Sequence, residues 1–362
     1  MLQVEVYYSA LVLNNFPNYL QLIITIFQLF CGLLSLQITS LDQFQNSVKS
    51  FNATSIGKSA GGLDIPHVTI SDNGSSKASV AIICNVAGNR LSSVNVCMSL
   101  LDALLIQKDS ELAPLLSKYN IHIIPNLNID GSQKAFIDIN KGTTNGNGVD
   151  LTSAFPNLRE NVEVDAANVP PEVKAVIDFL EKDHFQAVIV VGASGTGITF
   201  PLYYTEDDHE GIIDDAIHRE IAKKAYNQNP NLASSGCSMG AKQGRSQEIF
   251  STRQTIRDNL DNVPGSLEDF IYLKHGSLTF HFCVSCSLSA DDDVFAENKG
   301  VFRELISSAD RGLRGRVVAP DGTGLQGATI SAIDHVVFSG DGGFFWCPLV
   351  AGIYSLTISY GE

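Results

Sequence analysis

The residues with the most evident chemical capacity lie in one apolar run, LTFHFCVSCS. It places His281, Cys283 and Cys286 within six positions of one another. Strand alternation puts His281 and Cys283 on the same face, where an imidazole and a thiolate could bind a metal or support redox chemistry. A core strand with a disulfide or an inert thiol has the same pattern. A zinc site would need a further ligand, to which the sequence does not point.

Other sequence motifs for catalysis or phosphate binding are incomplete. None of the eight histidines lies in a His-Glu-x-x-His pattern. Glycines 192, 195 and 197 follow an apolar strand, but their spacing differs from the G-x-G-x-x-G of dinucleotide loops, and Pro201 follows where a helix should run. The same segment lacks the second glycine of a serine nucleophile elbow. These comparisons disfavour nucleotide binding and serine hydrolysis.

Composition narrows the function classes further. Of 362 residues, 44% are hydrophobic and 17% are charged, which is enough to bury a core. Twenty-four basic against 39 acidic residues give a net charge of −15, which repels phosphate backbones. We therefore expect a globular protein that does not bind nucleic acid.

The elements that must position these residues alternate between apolar strands and amphipathic helices. Strands are predicted at 78–84, 121–125, 187–192 and 278–284, and helices at 94–106, 172–182, 212–226 and 301–306. This order predicts an α/β fold with a mixed, largely parallel sheet and helices on both faces. After Arg311, short β runs separated by Asp-Gly and Gly-Gly turns predict a small all-β domain.

We predict three regions: an apolar segment at 1–40, an α/β domain at 41–309 and a truncated β domain at 310–362. Residues 20–36 are apolar but interrupted by polar side chains, and they lack flanking basic residues. A signal sequence, a membrane anchor and a buried helix all remain compatible with them. Sequons at Asn52 and Asn73 are compatible with glycosylation, so we expect a secreted or membrane-associated protein of the secretory pathway.

A series of short motifs gives the chain a family resemblance. They are Ala87–Arg90, the IHIIPNLNIDG run at 121–131, DLTSAFP at 150–156 and VPGSLED at 263–269. In this order they resemble the M14 metallocarboxypeptidases, specifically the N/E/D branch with its transthyretin-like β-sandwich. The similarity covers roughly residues 41–362, and it is greatest to the inactive third domain of the D-type members.

The resemblance implies a zinc held by a His and a Glu of an H-G-N-E-like turn and by a distant second His. Here those positions are Ala87, Arg90, and either Gly192 or Ala193. A methyl group and a backbone hydrogen offer no electron pair, and a guanidinium repels a cation. We therefore expect no zinc and no other cofactor.

By the same resemblance, the family's general base and its substrate-binding positions also fall on altered residues. The general base aligns with Cys283, and the Asn-Arg clamp for the substrate carboxylate aligns with Thr152 and Ser153. A further Arg aligns with Thr143, and the substrate-capping Tyr aligns with Asp261.

These losses imply a non-catalytic binding or structural domain whose protein or peptide ligand is unknown. One alternative is an active carboxypeptidase-like hydrolase that removes C-terminal residues at a relocated site, where His281, Cys283 and Cys286 act with a metal or as a redox pair. Another is a folding or oligomerisation scaffold without a ligand.

Overall fold

One mixed sheet organises the greater part of the chain. The computed structural model describes residues 37–71, 77–158, 168–193, 195–201, 214–229, 232, 265–288, 294–332 and 335–361. The strands of the main sheet are β1 (Thr54–Lys58), β2 (Asp64–Ile70), β3 (Ala78–Cys84), β4 (Tyr119–Ile124), β5 (Phe185–Gly192), β6 (Gly195–Thr199) and β7 (Leu278–Ser285).

The strand order is β1-β2-β4-β3-β5-β7-β6. The four central strands β4, β3, β5 and β7 run parallel, while β2 and β6 pair antiparallel with them at either side. The carboxyl ends of four parallel strands therefore meet at one edge, and that edge carries the candidate site. The predicted fold class is confirmed.

Helices cover both faces of this sheet. They are α1 (Leu41–Ser50), α2 (Leu91–Asp102), α3 (Ile129–Ala135), α4 (Pro171–Leu180), α5 (Asp215–Tyr226), α6 (Leu267–His275) and α7 (Val294–Ser307). Helices α4 and α6 pack against one face through a core that includes Ile83 and Val190. The alternate residues Ile82 and Ile189 are equally buried and point to the other face, where α2 and α7 contact β5.

The predicted helix at 94–106 differs from the observed one at both ends. Helix α2 begins three residues earlier at Leu91, and regular helix ends at Asp102 before one π-helical turn at Ala103–Gln107. The side chain of Ile106, which the prediction counted within the apolar helix, is exposed. The turn ends at Lys108, whose left-handed backbone (φ 50°) cannot continue a helix.

The C-terminal part forms short strands, as predicted. They are β8 (Leu313–Arg316), β9 (Thr329–Ala332), β10 (His335–Phe338), β11 (Phe344–Cys347) and β12 (Leu356–Ser359). The order β10-β9-β12 makes one small sheet, and β11 pairs with β8. The prediction omitted β10, and the predicted boundary at residue 310 stays a prediction.

Two further findings bear on the predicted compartment. A disulfide joins Cys84 at the end of β3 to Cys97 in α2. Among the described residues, we find no helix with both the length and the apolar character that crossing a bilayer requires. The apolar segment at 20–36 lies outside the described residues.

Helix α5 is tied to strand β7 by His218, whose side chain is completely buried. Its Nδ1 hydrogen-bonds the backbone carbonyl of Asp214 at 2.9 Å, and its Nε2 accepts the backbone N–H of Thr279 at 3.3 Å. Because one nitrogen must donate and the other accept, this arrangement requires the neutral ring. Burial accordingly lowers the pKa of His218 to about 4.

This histidine makes stability depend on pH. The unfolded chain binds a proton at His218 below about pH 6.5 while the folded chain does not, so stability falls as the pH drops through that value. Between pH 7 and pH 5 the contribution is about 2 kcal/mol of unfolding free energy. We expect His218→Gln to be less stable at pH 7 but to lose about 2 kcal/mol less than wild type on going to pH 5, measured by urea denaturation. An equal loss in both proteins would contradict this assignment.

Candidate functional site

A tight turn at Ala87–Arg90 leaves the carboxyl end of β3, and Asn85 holds it in place. The backbone of Asn85 is left-handed (φ 61°), and its side chain is fully buried. Its amide nitrogen donates to the Gly88 carbonyl and to the Asn126 side chain, both at 2.9 Å. Its amide oxygen accepts the backbone N–H of Arg90 at 2.9 Å. One buried amide therefore closes the turn.

Close packing against a neighbouring loop also constrains the turn. Gly88 has φ +75°, and a Cβ on it would overlap the carbonyl oxygen of Gly142. The positive φ and the close contact with Gly142 therefore both require glycine at position 88. Thr143, which follows Gly142, is exposed at the surface of that loop.

Arg90 is the dominant charge beside the turn. Burial lowers the pKa of its guanidinium, and the carboxylate of Asp150 opposes that effect. Within the part of the chain that the structure describes, the guanidinium makes no hydrogen bond and no ion pair. A half-buried cation without a bonded partner is a natural place for an anion, because a new charge-assisted bond would compensate its lost hydration.

The predicted clamp positions lie in a short helical turn at Leu151–Ser153. Asp150 caps this turn by accepting the backbone N–H of Thr152 at 3.0 Å and its hydroxyl at 2.7 Å. The Thr152 hydroxyl is therefore used within its own turn, and Ser153 is exposed. Asp150, rather than either clamp residue, brings this loop into the surroundings of Arg90.

The end of β5 faces the same region. Gly192 lies beside Cys283 in the register of strands β5 and β7. A Cβ on Gly192 would lie 2.6 Å from Nε2 of His281 and 3.7 Å from Sγ of Cys283. His281 therefore occupies the space that a side chain at position 192 would need. Ala193, the residue after the strand, is buried as well.

His281 is held by a residue to which the sequence analysis assigned no role. Glu268, in the first turn of α6, accepts a hydrogen bond at Oε1 from Nδ1 of His281. Both side chains are mostly shielded, with 16% and 26% of their surface exposed. Burial disfavours both charges, but the neighbouring groups outweigh it. Cys283 and Glu268 raise the pKa of His281 well above its usual value, and His281 lowers the pKa of Glu268.

Cys283 completes this cluster and corrects one hypothesis. Cys283 is a free, buried cysteine two residues after His281 in strand β7. Cys286 is already in a disulfide. A redox pair of Cys283 and Cys286 is therefore wrong, because one of its sulfurs is bonded elsewhere. The placement of His281 and Cys283 on one face is as predicted.

The structure thus brings together Ala87, Arg90, Gly192 and Cys283, while Thr143 and Ser153 are exposed beside them. Asp261 and the sequon at Asn73 lie outside the described residues. Asn52 is exposed in the turn that follows α1. Sequence reasoning missed Asn85 and Glu268. The VPGSLED motif contains Glu268, but it carries no sign that the side chain reaches His281, thirteen residues further on.

The donors present do not suit a catalytic zinc. Such sites need three protein ligands and one open position. Around the turn, Ala87 and Gly192 offer no metal ligand, and Arg90 repels a cation. His281 and Cys283 supply two, but Nδ1 of His281 already bonds Glu268. No group of three metal-binding side chains with suitable geometry occurs in the described ranges.

Comparison with known proteins gives the family. The zinc carboxypeptidase family matches residues 38–302. Carboxypeptidase D of Anas platyrhynchos is 27% identical over 329 residues, covering 84% of this chain and 23% of the relative. Carboxypeptidase E of Caenorhabditis elegans is 23% identical over 332 residues, covering 78% of this chain and 70% of the relative. The chain spans about a quarter of the length of the carboxypeptidase D relatives that it matches.

Solved structures share the fold. Bovine thrombin-activatable fibrinolysis inhibitor, in complex with tick carboxypeptidase inhibitor, aligns with a TM-score of 0.56 at 18% identity, covering 75% of this chain and 96% of the other. Carboxypeptidase A from Helicoverpa armigera aligns with a TM-score of 0.55 at 14% identity, covering 74% and 71%. These likenesses show the fold, and the family match over residues 38–302 covers most of the chain. The chain belongs to the zinc carboxypeptidase family.

Proposed function

We propose that this chain is a non-catalytic member of its family, retained to bind a protein or peptide ligand in the pocket at the carboxyl edge of the sheet. The observation that carries the proposal is Arg90. Its guanidinium stands at the position of an expected metal ligand, half-buried and without a bonded partner among the described residues. A pocket built around a cation selects anions rather than divalent metals.

Loss of zinc chemistry follows from the side chains that replaced the ligands. Zinc lowers the pKa of a bound water to about 7 and so generates the attacking hydroxide of this enzyme class. Ala87, Arg90 and Gly192 together provide no lone pair with which to hold that ion. The aligned base position holds Cys283, which offers no carboxylate to activate a water.

A peptide carboxylate is the anion that suits the pocket best. Guanidinium groups bind carboxylates through two parallel hydrogen bonds, and charge-assisted bonds of this kind contribute about 1.5–3 kcal/mol. Thr152 cannot serve as a second clamp while its hydroxyl bonds Asp150. Recognition would therefore rest on Arg90, with Asp150 restricting the direction from which an anion can approach.

Several features support a place in the secretory pathway. The disulfide at Cys84–Cys97 and the further disulfide of Cys286 favour an oxidising compartment. The exposure of Asn52 leaves that sequon accessible to glycosylation. The small sheets formed by β8–β12 are compatible with a transthyretin-like domain after the α/β fold.

The first test is zinc content and peptidase activity on the purified full chain. After dialysis against zinc and then buffer, we expect well below about 0.1 zinc per chain by atomic emission, because the pocket lacks three donors. Release of C-terminal Lys or Arg from a dansylated peptide should equal the buffer blank, with or without 1,10-phenanthroline. About one tightly bound zinc per chain, with turnover that the chelator abolishes, would refute the proposal.

The second test concerns Arg90. A dansylated tripeptide with a free C-terminal carboxylate should bind more tightly than the same peptide with a C-terminal amide, measured by fluorescence anisotropy. Arg90→Gln should weaken binding of the carboxylate form about tenfold or more and leave the amide form unchanged.

Arg303→Gln is the matched control, because it removes the same charge from a side chain that already pairs with Glu111. Its affinity for the carboxylate peptide should equal that of wild type. Equal binding of both peptides, or an Arg90→Gln protein that binds as wild type does, would show that the pocket does not recognise carboxylates.

A further inference from the structure

Two Asn-Gly pairs follow one another in the segment after α3, at 145–146 and 147–148. An asparagine before a glycine can modify itself, because the backbone nitrogen of a residue without a side chain approaches the asparagine's amide carbon with little steric hindrance. The same dipeptide occurs twice within four residues, so the surrounding structure decides whether each copy can react.

The first pair is fixed by hydrogen bonds. Asn145 is fully buried, and its Oδ1 accepts the backbone N–H groups two and four residues further along the chain, at 3.0 and 2.9 Å. Its Nδ2 donates to Oε2 of Glu172 at 3.0 Å. The nitrogen that would attack, the backbone N–H of Gly146, donates to Oδ2 of Asp130 at 3.1 Å. Neither the amide carbon nor this nitrogen can move toward the other without breaking a bond to a buried carboxylate.

The second pair is open to solvent. Asn147 and Gly148 are both exposed, and within the described ranges the side-chain amide of Asn147 makes no hydrogen bond. A Cβ on Gly148 would meet no atom within 4 Å, whereas one on Gly146 would lie 2.7 Å from Oδ2 of Asp130. One bond restrains the attacking nitrogen, since the backbone N–H of Gly148 donates to the carbonyl of Asn145 at 3.1 Å. The second pair therefore has the solvent access and the freedom of movement that the first lacks.

We propose that Asn147 is a site of spontaneous deamidation and that the fold protects Asn145 from the same reaction. The backbone nitrogen of Gly148 loses its proton to hydroxide and forms a bond to Cγ of Asn147. The bond from Cγ to Nδ2 breaks, and the amide nitrogen leaves with the electron pair and takes a proton from water, as ammonia. Water then opens the resulting succinimide at either carbonyl, which gives aspartate or isoaspartate at position 147. Water is the co-reactant throughout, and nothing is oxidised or reduced.

The reaction changes the loop that packs against the turn at Ala87–Arg90 through Gly142. It adds one negative charge three residues before Asp150. In isoaspartate the main chain also runs through the side-chain carbons, so one more atom separates the two backbone N–H groups that Oδ1 of Asn145 holds. The isoaspartate form therefore loses part of the hydrogen bonding of this loop. The reaction needs no peptide ligand, so it does not depend on the proposed function.

Incubation of the full chain in mildly alkaline buffer, folded and in urea, tests this proposal. Mass spectrometry of peptides, with fragment ions that assign the change to position 145 or 147, gives both rates in one sample. In urea both asparagines precede glycine in an unfolded chain and should react at similar rates. In the folded chain we expect Asn147 to stay within about tenfold of its rate in urea, because a single backbone hydrogen bond must open. Asn145 should slow by at least about 100-fold, because four bonds must open and two of them are to carboxylates.

Asn147→Gln is the matched control variant. It keeps an exposed amide, but its side chain is one methylene longer and would have to close a six-membered ring, so position 147 should stay unmodified. Its free energy of unfolding should equal that of wild type, because the amide makes no hydrogen bond within the described ranges. In the wild type, isoaspartate beside aspartate identifies the succinimide, since direct hydrolysis of the amide gives aspartate alone.

Modification of Asn145 as fast as that of Asn147 in the folded chain would overturn the proposal. The same holds if Asn147 stays intact in the folded chain while it reacts in urea, or if aspartate forms there without isoaspartate. These readouts come from the wild-type protein, so they decide the matter even if the variant fails to fold.

Discussion

The side-chain amide of Asn85 holds the turn that presents Arg90 to the pocket, and the remaining site chemistry depends on that placement. The guanidinium is largely removed from water, yet no hydrogen bond or ion pair compensates it within the described ranges. At 4 Å, like charges near a protein surface repel by roughly 4 kcal/mol per unit charge, and a divalent ion doubles that figure. A fixed positive charge at this point disfavours a divalent cation and favours an anion.

Other buried acids of the domain serve the backbone rather than chemistry. Asp130 accepts the hydroxyl of Ser59 at 2.8 Å and the backbone N–H groups of Gly61 and Gly146 at 2.7 and 3.1 Å. Glu172 accepts the N–H of Ala60 at 2.8 Å. These bonds hold loops whose backbone would otherwise be unsatisfied. The carboxylates that hold the loops are therefore present. The positions that would face a metal carry residues that cannot bind one.

Apolar runs were sufficient to predict the central strands, because a strand buried on both faces needs continuous hydrophobic residues. They missed β10, because its apolar part, Val336–Phe338, is shorter than the runs that identify a strand. Cys283 and His281 could be placed on one face from strand alternation alone. Glu268 could not, because its contact with His281 depends on how α6 packs against β7. Likewise, the left-handed backbone of Asn85 and the disulfide of Cys286 arise from tertiary contacts that no local pattern records.

The central claim is that Arg90 and its neighbours form an anion pocket where related chains would hold a metal. Crystals soaked in zinc, with data collected on both sides of the zinc absorption edge, test it most directly. The account predicts no anomalous peak between Ala87, Gly192 and Cys283, and the guanidinium of Arg90 in its present place. A zinc peak bonded to side chains at that point, with Arg90 displaced, would contradict it.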